Sequence, residues 1–143
     1  MLKSTVHDGQ SLSVLTPPVL AEIADKRDRA FVTACVYGAI RNYYSLRASL
    51  HALLQRPLKG KDADIEAVLI SGLYQIVHMG VPSHAAVSAS VDAAKEMKKE
   101  WACALVNAIL RKASRTDSIY ENPPCEQIRF EHPQWMIDRV RQD

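Results

Sequence analysis

Residues 81–115 read VPSHAAVSASVDAAKEMKKEWACALVNAILRKASR, and this stretch predicts two helices that fold back on each other. Pro82 and Ser83 open the first helix, because the fixed φ of proline suits a helix entry and a serine oxygen can accept from free N–H groups of the first turn. A charged link at residues 95–100 separates the two helices. The faces that we expect to pack together hold Val87, Val91 and Ala94 in the first helix, and Trp101, Leu105, Ala108 and Ile109 in the second.

Another strong helical signal precedes this hairpin. Pro57 stops the preceding element, and Asp62 is a suitable N-cap for a new helix. Apolar residues then recur at the i, i+3, i+4, i+7 spacing of a buried face. Gly72 costs about 1 kcal/mol relative to Ala inside a helix, so it predicts a close approach by another helix. The predicted face consists of Ile65, Val68, Leu69, Gly72, Leu73, Ile76 and Val77.

The remaining segments carry weaker patterns. Residues 2–7 predict one or two helical turns, and residues 11–18 predict an irregular connection to a short helix over residues 19–23. Asp25 is the expected N-cap of one long helix that runs to Leu54. Pro133 begins a last helix, with Trp135, Met136, Arg139 and Val140 as its amphipathic set. The pattern that predicts the long helix consists of Phe31, Ala34, Tyr37, Gly38, Arg41, Leu46, Leu50, Leu53 and Leu54.

No stretch alternates between polar and apolar residues for more than a few positions, so the sequence predicts an all-α fold of five to seven helices. No run approaches the roughly 18 apolar residues that a membrane-spanning helix needs, and the first residues resemble neither a signal peptide nor a transit peptide. The three cysteines are widely spaced, which favours neither a disulfide framework nor a zinc knuckle. We therefore expect a cytoplasmic protein without membrane contact.

The net charge of +2 is small, but it is unevenly distributed along the chain. Residues 1–60 hold eight Lys or Arg against four Asp or Glu, and residues 95–115 hold six against two. Acidic residues dominate the other two blocks, 61–94 and 116–143. Two interpretations stay open: a basic face that meets nucleic acid, and the solvated surfaces of ordinary helices.

Motifs of catalysis are missing from the sequence, which has no Gly-rich phosphate loop, no H-E-x-x-H and no nucleophile elbow. We therefore assign no catalytic residue and no metal ligand. His78 and His84 flank a turn, but no cysteine or carboxylate stands nearby to complete a metal site. Cys35 and Cys103 lie among small apolar residues and are expected in the core. Cys125 follows a proline, but neither a strand nor a cofactor loop accompanies it, so we do not assign it as a nucleophile.

Two polar residues of the second hairpin helix stand out. Asn107 lies within an apolar run, where its amide needs a partner, so a structural hydrogen bond to a neighbouring backbone is favoured over ligand contact. Arg111 follows one turn later and has donors for a phosphate or a carboxylate. An intramolecular ion pair of Arg111 is equally compatible with the sequence.

Four stretches together resemble, in order and spacing, the N-terminal domain of the RsmB (Sun/Fmu) family of bacterial 16S ribosomal RNA cytosine-C5 methyltransferases. That domain is similar to the transcription antitermination factor NusB, an all-α RNA-binding fold. The link RPLKGK at residues 56–61 also matches the family. The four stretches are GLYQI at 72–76, VPSHAAV at 81–87, VNAILR at 106–111 and HPQWM at 132–136.

The resemblance implies a division of the chain into two parts. Residues 1–116 would be a NusB-like RNA-binding domain whose first helix lacks its start, and residues 117–143 a linker and first helix leading toward a methyltransferase domain absent from this sequence. That absent domain would bind S-adenosylmethionine, so this chain alone is expected to hold no cofactor and to be no enzyme. The His-Pro-Gln-Trp element favours this family over a free-standing NusB.

The resemblance further implies an accessory role in which basic side chains hold ribosomal RNA by its phosphates for the methyltransferase domain, with no DNA partner. The motif match supports Arg111, whereas charge supports the other candidates, and Arg41 and Arg47 could equally lie against the core. Two alternatives remain: a structural module that docks on the catalytic domain without touching RNA, and a stand-alone antitermination regulator. The predicted RNA-binding residues are Arg41, Arg47, Lys59, Lys61, Arg111, Lys112 and Arg115.

Overall fold

The chain folds into helices throughout the residues that the computed structural model describes, which are 1–116 and 131–142. Within these ranges there are eight α-helices and no strand, and seven of the helices have nine or more residues, so the all-α prediction is confirmed. Cys125 and most of the linker predicted for residues 117–143 lie outside the described residues. The helices are α1 Leu2–Val6, α2 Leu12–Ala21, α3 Lys26–Arg41, α4 Tyr43–Leu53, α5 Ala63–Val77, α6 Ser83–Glu96, α7 Glu100–Ser114 and α8 Gln134–Gln142.

Helix α5 forms the centre of the bundle, with α3, α4, α6 and α7 packed around it. Its predicted face is confirmed up to its last turn, since Ile65, Leu69 and Leu73 are fully buried. Val77 is the exception, because it is exposed where the helix ends. Gly72 makes the predicted close approach: a Cβ added there would lie 2.7 Å from a methyl carbon of Leu110 in α7.

The helical hairpin of α6 and α7 is confirmed, and its link is short, residues 97–99, with Lys98 at a positive φ of 58°. Helix α6 begins at Ser83, but no side chain caps it, so the predicted serine cap is wrong. The predicted inner face of α7 is also wrong in part, because Trp101 is 56% exposed and Ala108 is exposed. The face that enters the core is Ala102, Val106, Ile109, Leu110 and Ala113.

The predicted long helix is two helices, α3 and α4, which are separated at Asn42. Asp25 caps α3 as expected, accepting from the Arg27 amide at 2.7 Å. The break occurs where Asn42 leaves the helical region and its side-chain amide donates to the Gly38 carbonyl at 2.9 Å. The buried side of α3 is Cys35, Gly38 and Ala39, whereas Phe31, Ala34 and Tyr37 are exposed.

Helix α2 replaces the predicted irregular connection and runs through both Pro17 and Pro18. The two prolines lack the N–H groups that would bond to the carbonyls of Ser13 and Val14. Because Ser13 and Val14 are exposed and α2 has no buried residue, water can bond to these carbonyls instead. The helix therefore tolerates both prolines at the surface.

The start of α5 is tied to the α6–α7 link by one lysine. Asp62 precedes α5 as predicted, but its carboxylate makes no capping bond and accepts instead from Lys99 Nζ at 3.1 Å. The same ammonium group donates to Asp64 at 2.7 Å and to the Lys61 carbonyl at 3.1 Å. We call Asp62, Asp64 and Lys99 the lysine clasp.

Helix α8 follows Pro133 as predicted, but Ile137 is the residue that it buries, whereas Trp135 is 64% exposed. Just before it, the Glu131 carboxylate accepts from the backbone amides of Tyr44 at 3.0 Å and Ser45 at 3.2 Å. These amides belong to the first turn of α4, which no side chain of its own caps. Glu131 thus supplies the cap from the other end of the chain.

Candidate nucleic-acid interface

A polar pocket opens along one side of the α6–α7 hairpin. It is lined by Asn107 and Arg111 of α7 and by Arg115 just after this helix, which recur every four residues and therefore lie on one side of it. Antiparallel packing places them beside the side chains of α6. The pocket has a volume of about 450 Å³, and we call it the hairpin pocket. Its lining is Ser83, His84, Val87, Ser88, Val91, Asp92, Lys95, Asn107, Arg111, Ser114 and Arg115.

The hairpin pocket carries an excess of basic groups. Lys95, Arg111 and Arg115 are exposed, and none forms an ion pair with another described residue. Asp92 is the one carboxylate among the described residues that line it. The N-terminus of α6 lies at the pocket, since Ser83 and His84 line it, and no described side chain caps the first turn of this helix. Free N–H groups and cations together favour an anionic ligand.

Asn107 is half-buried in this pocket. Within the described residues its side chain makes no hydrogen bond, so the structural tie predicted for it is not observed there. Its amide thus keeps both a donor and an acceptor for a ligand that enters the pocket.

Three other predicted residues, Lys59, Lys61 and Lys112, lie together elsewhere, on a second cavity of about 810 Å³. Consecutive residues of a helix point about 100° apart, so Lys112 and Arg111 serve different sides of α7. We call this second cavity the apolar groove. Its lining is Leu53, Leu54, Gln55, Arg56, Pro57, Leu58, Lys59, Lys61, Asp62, Trp101, Leu105, Ala108, Ile109 and Lys112.

The last two predicted residues lie apart from both cavities. Arg41 ends α3 and is exposed. Arg47 Nε lies 3.5 Å from Glu66 Oε1, and the Glu66 side chain is 10% exposed. Burial raises the pKa of the adjacent Tyr43 hydroxyl, an effect that the Arg47 charge opposes. Arg47 therefore pairs with an internal carboxylate, while its own side chain stays 46% exposed.

Sequence reasoning did not select the α6 side of the hairpin pocket. His84, Ser88 and Lys95 belong to a stripe with i, i+4, i+11 spacing, and that signal was available in the sequence. Its meaning depends on which side of α6 meets α7, because a polar stripe on a lone helix is ordinarily just solvated.

Other chemistry finds little support in the part of the chain that the structure describes. Residues 1–116 and 131–142 contain no group of three His, Cys, Asp or Glu that could hold a metal. Burial raises the pKa of the Cys35 thiol, which keeps it protonated in the core. No helix in these ranges is long and apolar enough to cross a membrane.

A comparison with known protein families identifies the family of the hairpin and its surrounding helices. The model of the NusB family matches residues 7–115, which include all of α2 to α7. This chain belongs to the NusB family. The NusB match covers both cavities and ends at Arg115 in the hairpin pocket.

Curated relatives extend the similarity beyond the NusB match. The chain is 30% identical over 141 residues to the ribosomal RNA small subunit methyltransferase B of Citrobacter koseri, and 31% identical to the protein of that name from Salmonella arizonae. Both alignments cover 98% of this chain but 33% of the relative. The chain therefore spans about a third of the length of these relatives, their N-terminal, NusB-like part.

Proposed function

We propose that this NusB-family chain is the RNA-holding arm of a ribosomal RNA methyltransferase. The observation that carries the proposal is the hairpin pocket, where Arg111, Arg115 and Lys95 are free of ion pairs with other described residues. Guanidinium groups bind phosphate oxygens in bidentate fashion, so the pocket suits a bend of the RNA backbone. Such contacts orient the RNA without reading its sequence.

The proposal assigns the two ends of the chain different tasks. Residues 1–116 would hold RNA, and residues 117–143 would lead to the methyltransferase domain, as the relatives' names suggest. Methyl transfer to cytosine C5 of 16S RNA, in the cytoplasm, would take place there. The described residues are helical and offer no Gly-rich loop after a strand, so they do not fit S-adenosylmethionine and we assign the cofactor no role here.

The test is RNA binding by the 143-residue chain, measured by fluorescence anisotropy with a labelled hairpin of small-subunit ribosomal RNA. The wild-type affinity should fall steeply between about 0.05 and 0.4 M salt, because each phosphate contact releases counterions. We expect Arg111→Ala/Arg115→Ala to weaken binding at low salt on the order of tenfold or more, and to reduce the log–log slope by about 1.5 to 2.

The matched control is Lys26→Ala/Arg27→Ala, which removes the same charge from the exposed start of α3. It should change affinity and slope much less than the pocket variant. Equal losses in the two variants would mean that RNA responds only to net charge, and salt-insensitive binding by the wild-type chain would contradict the proposal.

A second candidate function is docking on the catalytic domain without RNA contact. It is favoured by α8, where Trp135 is 64% and Val140 71% exposed. In that case Arg111→Ala/Arg115→Ala would leave RNA binding by the longer methyltransferase unchanged, whereas Trp135→Ala would weaken the association of the two domains. A stand-alone antitermination role has no such observation in its favour.

A further inference from the structure

The apolar groove has a floor made largely of aliphatic side chains. Leu54 and Leu58 come from the segment that follows α4, and Leu105 comes from α7; all three are half-buried. Trp101 lies on the same side of α7 with 56% of its surface exposed. The groove therefore leaves a contiguous set of apolar side chains in contact with water, which is a typical sign of an interaction site.

The rim of the groove is positively charged. Arg56, Lys59, Lys61 and Lys112 are exposed, and none of them pairs with a carboxylate among the described residues. The part of the lining that the structure describes contains one carboxylate, Asp62, which is only 7% exposed and is held by the lysine clasp. A partner that covers the floor thus meets four uncompensated cations at its edges.

The composition of the floor distinguishes between two kinds of partner. Single-stranded RNA is bound mainly by stacking successive bases on aromatic side chains, and Trp101 is the one aromatic residue among the lining residues within 1–116 and 131–142. Aliphatic side chains suit instead the i, i+3, i+4, i+7 anchors of an amphipathic helix. At 1.5 Å per residue, Trp101 and Lys112 lie about 16 Å apart along α7, which is about three turns of a partner helix.

We propose that the apolar groove docks an acidic amphipathic helix of a separate protein. The apolar face of that helix covers Leu54, Leu105 and Trp101, and the Asp and Glu residues beside this face meet the cations of the rim. Helix α8 of a second copy does not suit this rim, because it has Arg139 and Arg141 in its last turn. The proposal goes beyond RNA holding, since the groove and the hairpin pocket lie on different sides of α7.

The probe is a synthetic amphipathic peptide of about 14 residues with Leu anchors at helical spacing and flanking Glu residues, paired with a twin that has Lys in place of each Glu. In a Trp135→Phe background, Trp101 alone reports on the groove by fluorescence. We expect the Glu peptide to shift Trp101 emission to the blue and to bind at least tenfold more tightly than the Lys twin. Equal binding of the two peptides, or no binding, would overturn the proposal.

Two variants locate the site. Lys59→Glu/Lys61→Glu should reverse the preference between the peptides, and Ala108→Glu, which introduces charge at an exposed position in the groove, should weaken the Glu peptide at least tenfold. Arg111→Ala/Arg115→Ala serves as the control and should leave peptide binding unchanged while RNA binding falls. If the RNA hairpin displaces the peptide and Lys59→Glu/Lys61→Glu weakens RNA as much as the pocket variant does, the groove is an RNA site and the proposal is wrong.

Discussion

At position 72 the bundle leaves no room for a side chain. A Cβ there would approach Leu110 Cδ1 at 2.7 Å and Ser90 Oγ at 2.9 Å, and Leu110 is fully buried. Overfilling a packed core typically costs about 1–3 kcal/mol. We therefore expect Gly72→Val to lower the free energy of unfolding by about 1–3 kcal/mol in urea titrations followed by circular dichroism.

Gly60→Val is the matched control for this prediction, since a Cβ added at Gly60 has no atom of a described residue within 4 Å apart from its two chain neighbours. It should change stability by well under 1 kcal/mol. A double-mutant cycle with Leu110→Ala then identifies the contact, because the smaller residue should recover part of the loss caused by Gly72→Val. Strict additivity of the two changes would show that Leu110 is not what resists the side chain.

The sequence predicted the core-facing residues of α5 well and those of α7 only in part. Gly72 and its face of α5 could be predicted because this helix is apolar on the side that faces its neighbours, and α1, α3, α4, α6 and α7 pack on it. Helix α7 has apolar residues on more than one side, and periodicity alone cannot tell the core side from the apolar groove. The prediction therefore chose Trp101 and Ala108, whereas Ala102 and Val106 enter the core.

At the scale of elements, Glu131 joins two distant parts of the chain. Its carboxylate replaces the missing cap of α4, and loss of a cap typically costs about 0.5–2 kcal/mol. We expect Glu131→Ala to destabilise the fold by about 1 kcal/mol and to speed hydrogen exchange of the Tyr44 and Ser45 amides, while Glu131→Gln should have an intermediate effect.

The control is Glu96→Ala, which removes an exposed carboxylate at the end of α6. It should leave the exchange of Tyr44 and Ser45 unchanged. Unchanged exchange of these two amides in Glu131→Ala itself would mean that the long-range cap contributes nothing to α4.

This cap also explains why the division into α3 and α4 could not be predicted. The break at Asn42 carries no proline or glycine, and the partner that compensates it, Glu131, lies 86 residues beyond Ser45. Helix α2 was missed for the opposite reason, because Pro17 and Pro18 are strong local stop signals that hydration at the surface overrides. Local patterns therefore succeeded where helices are buried and failed where long-range contacts or solvent decide.

At the scale of the whole molecule, α7 separates two surfaces of different chemistry. Arg111 could be selected from the sequence by the motif match and Arg115 by its charge, but His84 and Lys95 join them only once the hairpin is formed. Lys59, Lys61 and Lys112 were selected for the same charge and lie instead on the rim of the apolar groove. Charge alone identified basic residues, whereas tertiary packing determined which of them share a cavity.

The lysine clasp connects the start of α5, beside the groove, to the link of the hairpin. Desolvation of the Asp64 carboxyl acts to raise its pKa, but hydrogen bonds from Lys99 and from the Ile65 amide outweigh it, and the pKa falls below 3.8. The hydrogen bond to Asp64 is the largest of the effects that hold the pKa of Lys99 above 10.5.

These two shifts fix the direction of the pH dependence. A carboxyl whose pKa is lowered by folding stabilises the fold above its unfolded value, and that contribution is lost as pH falls through the folded value. The raised pKa of Lys99 means that this group stabilises the fold below pH 10.5, and that this contribution to stability is lost as pH rises through the folded pKa. The clasp is thus complete between about pH 4 and pH 10 and opens in acid when Asp64 is protonated.

We therefore expect Asp64→Asn to lower Tm by a few degrees at neutral pH and to flatten the decline of Tm below about pH 4, because the variant has lost the carboxylate that acid would otherwise protonate. Thermal unfolding between about pH 2 and pH 7 measures both effects. Asp92→Asn removes an exposed carboxylate that has no ion pair among the described residues. This variant should show the same decline of Tm in acid as the wild type. If Asp64→Asn also shows the wild-type decline of Tm in acid, acid unfolding is governed by other carboxylates and the lysine clasp does not stabilise the fold.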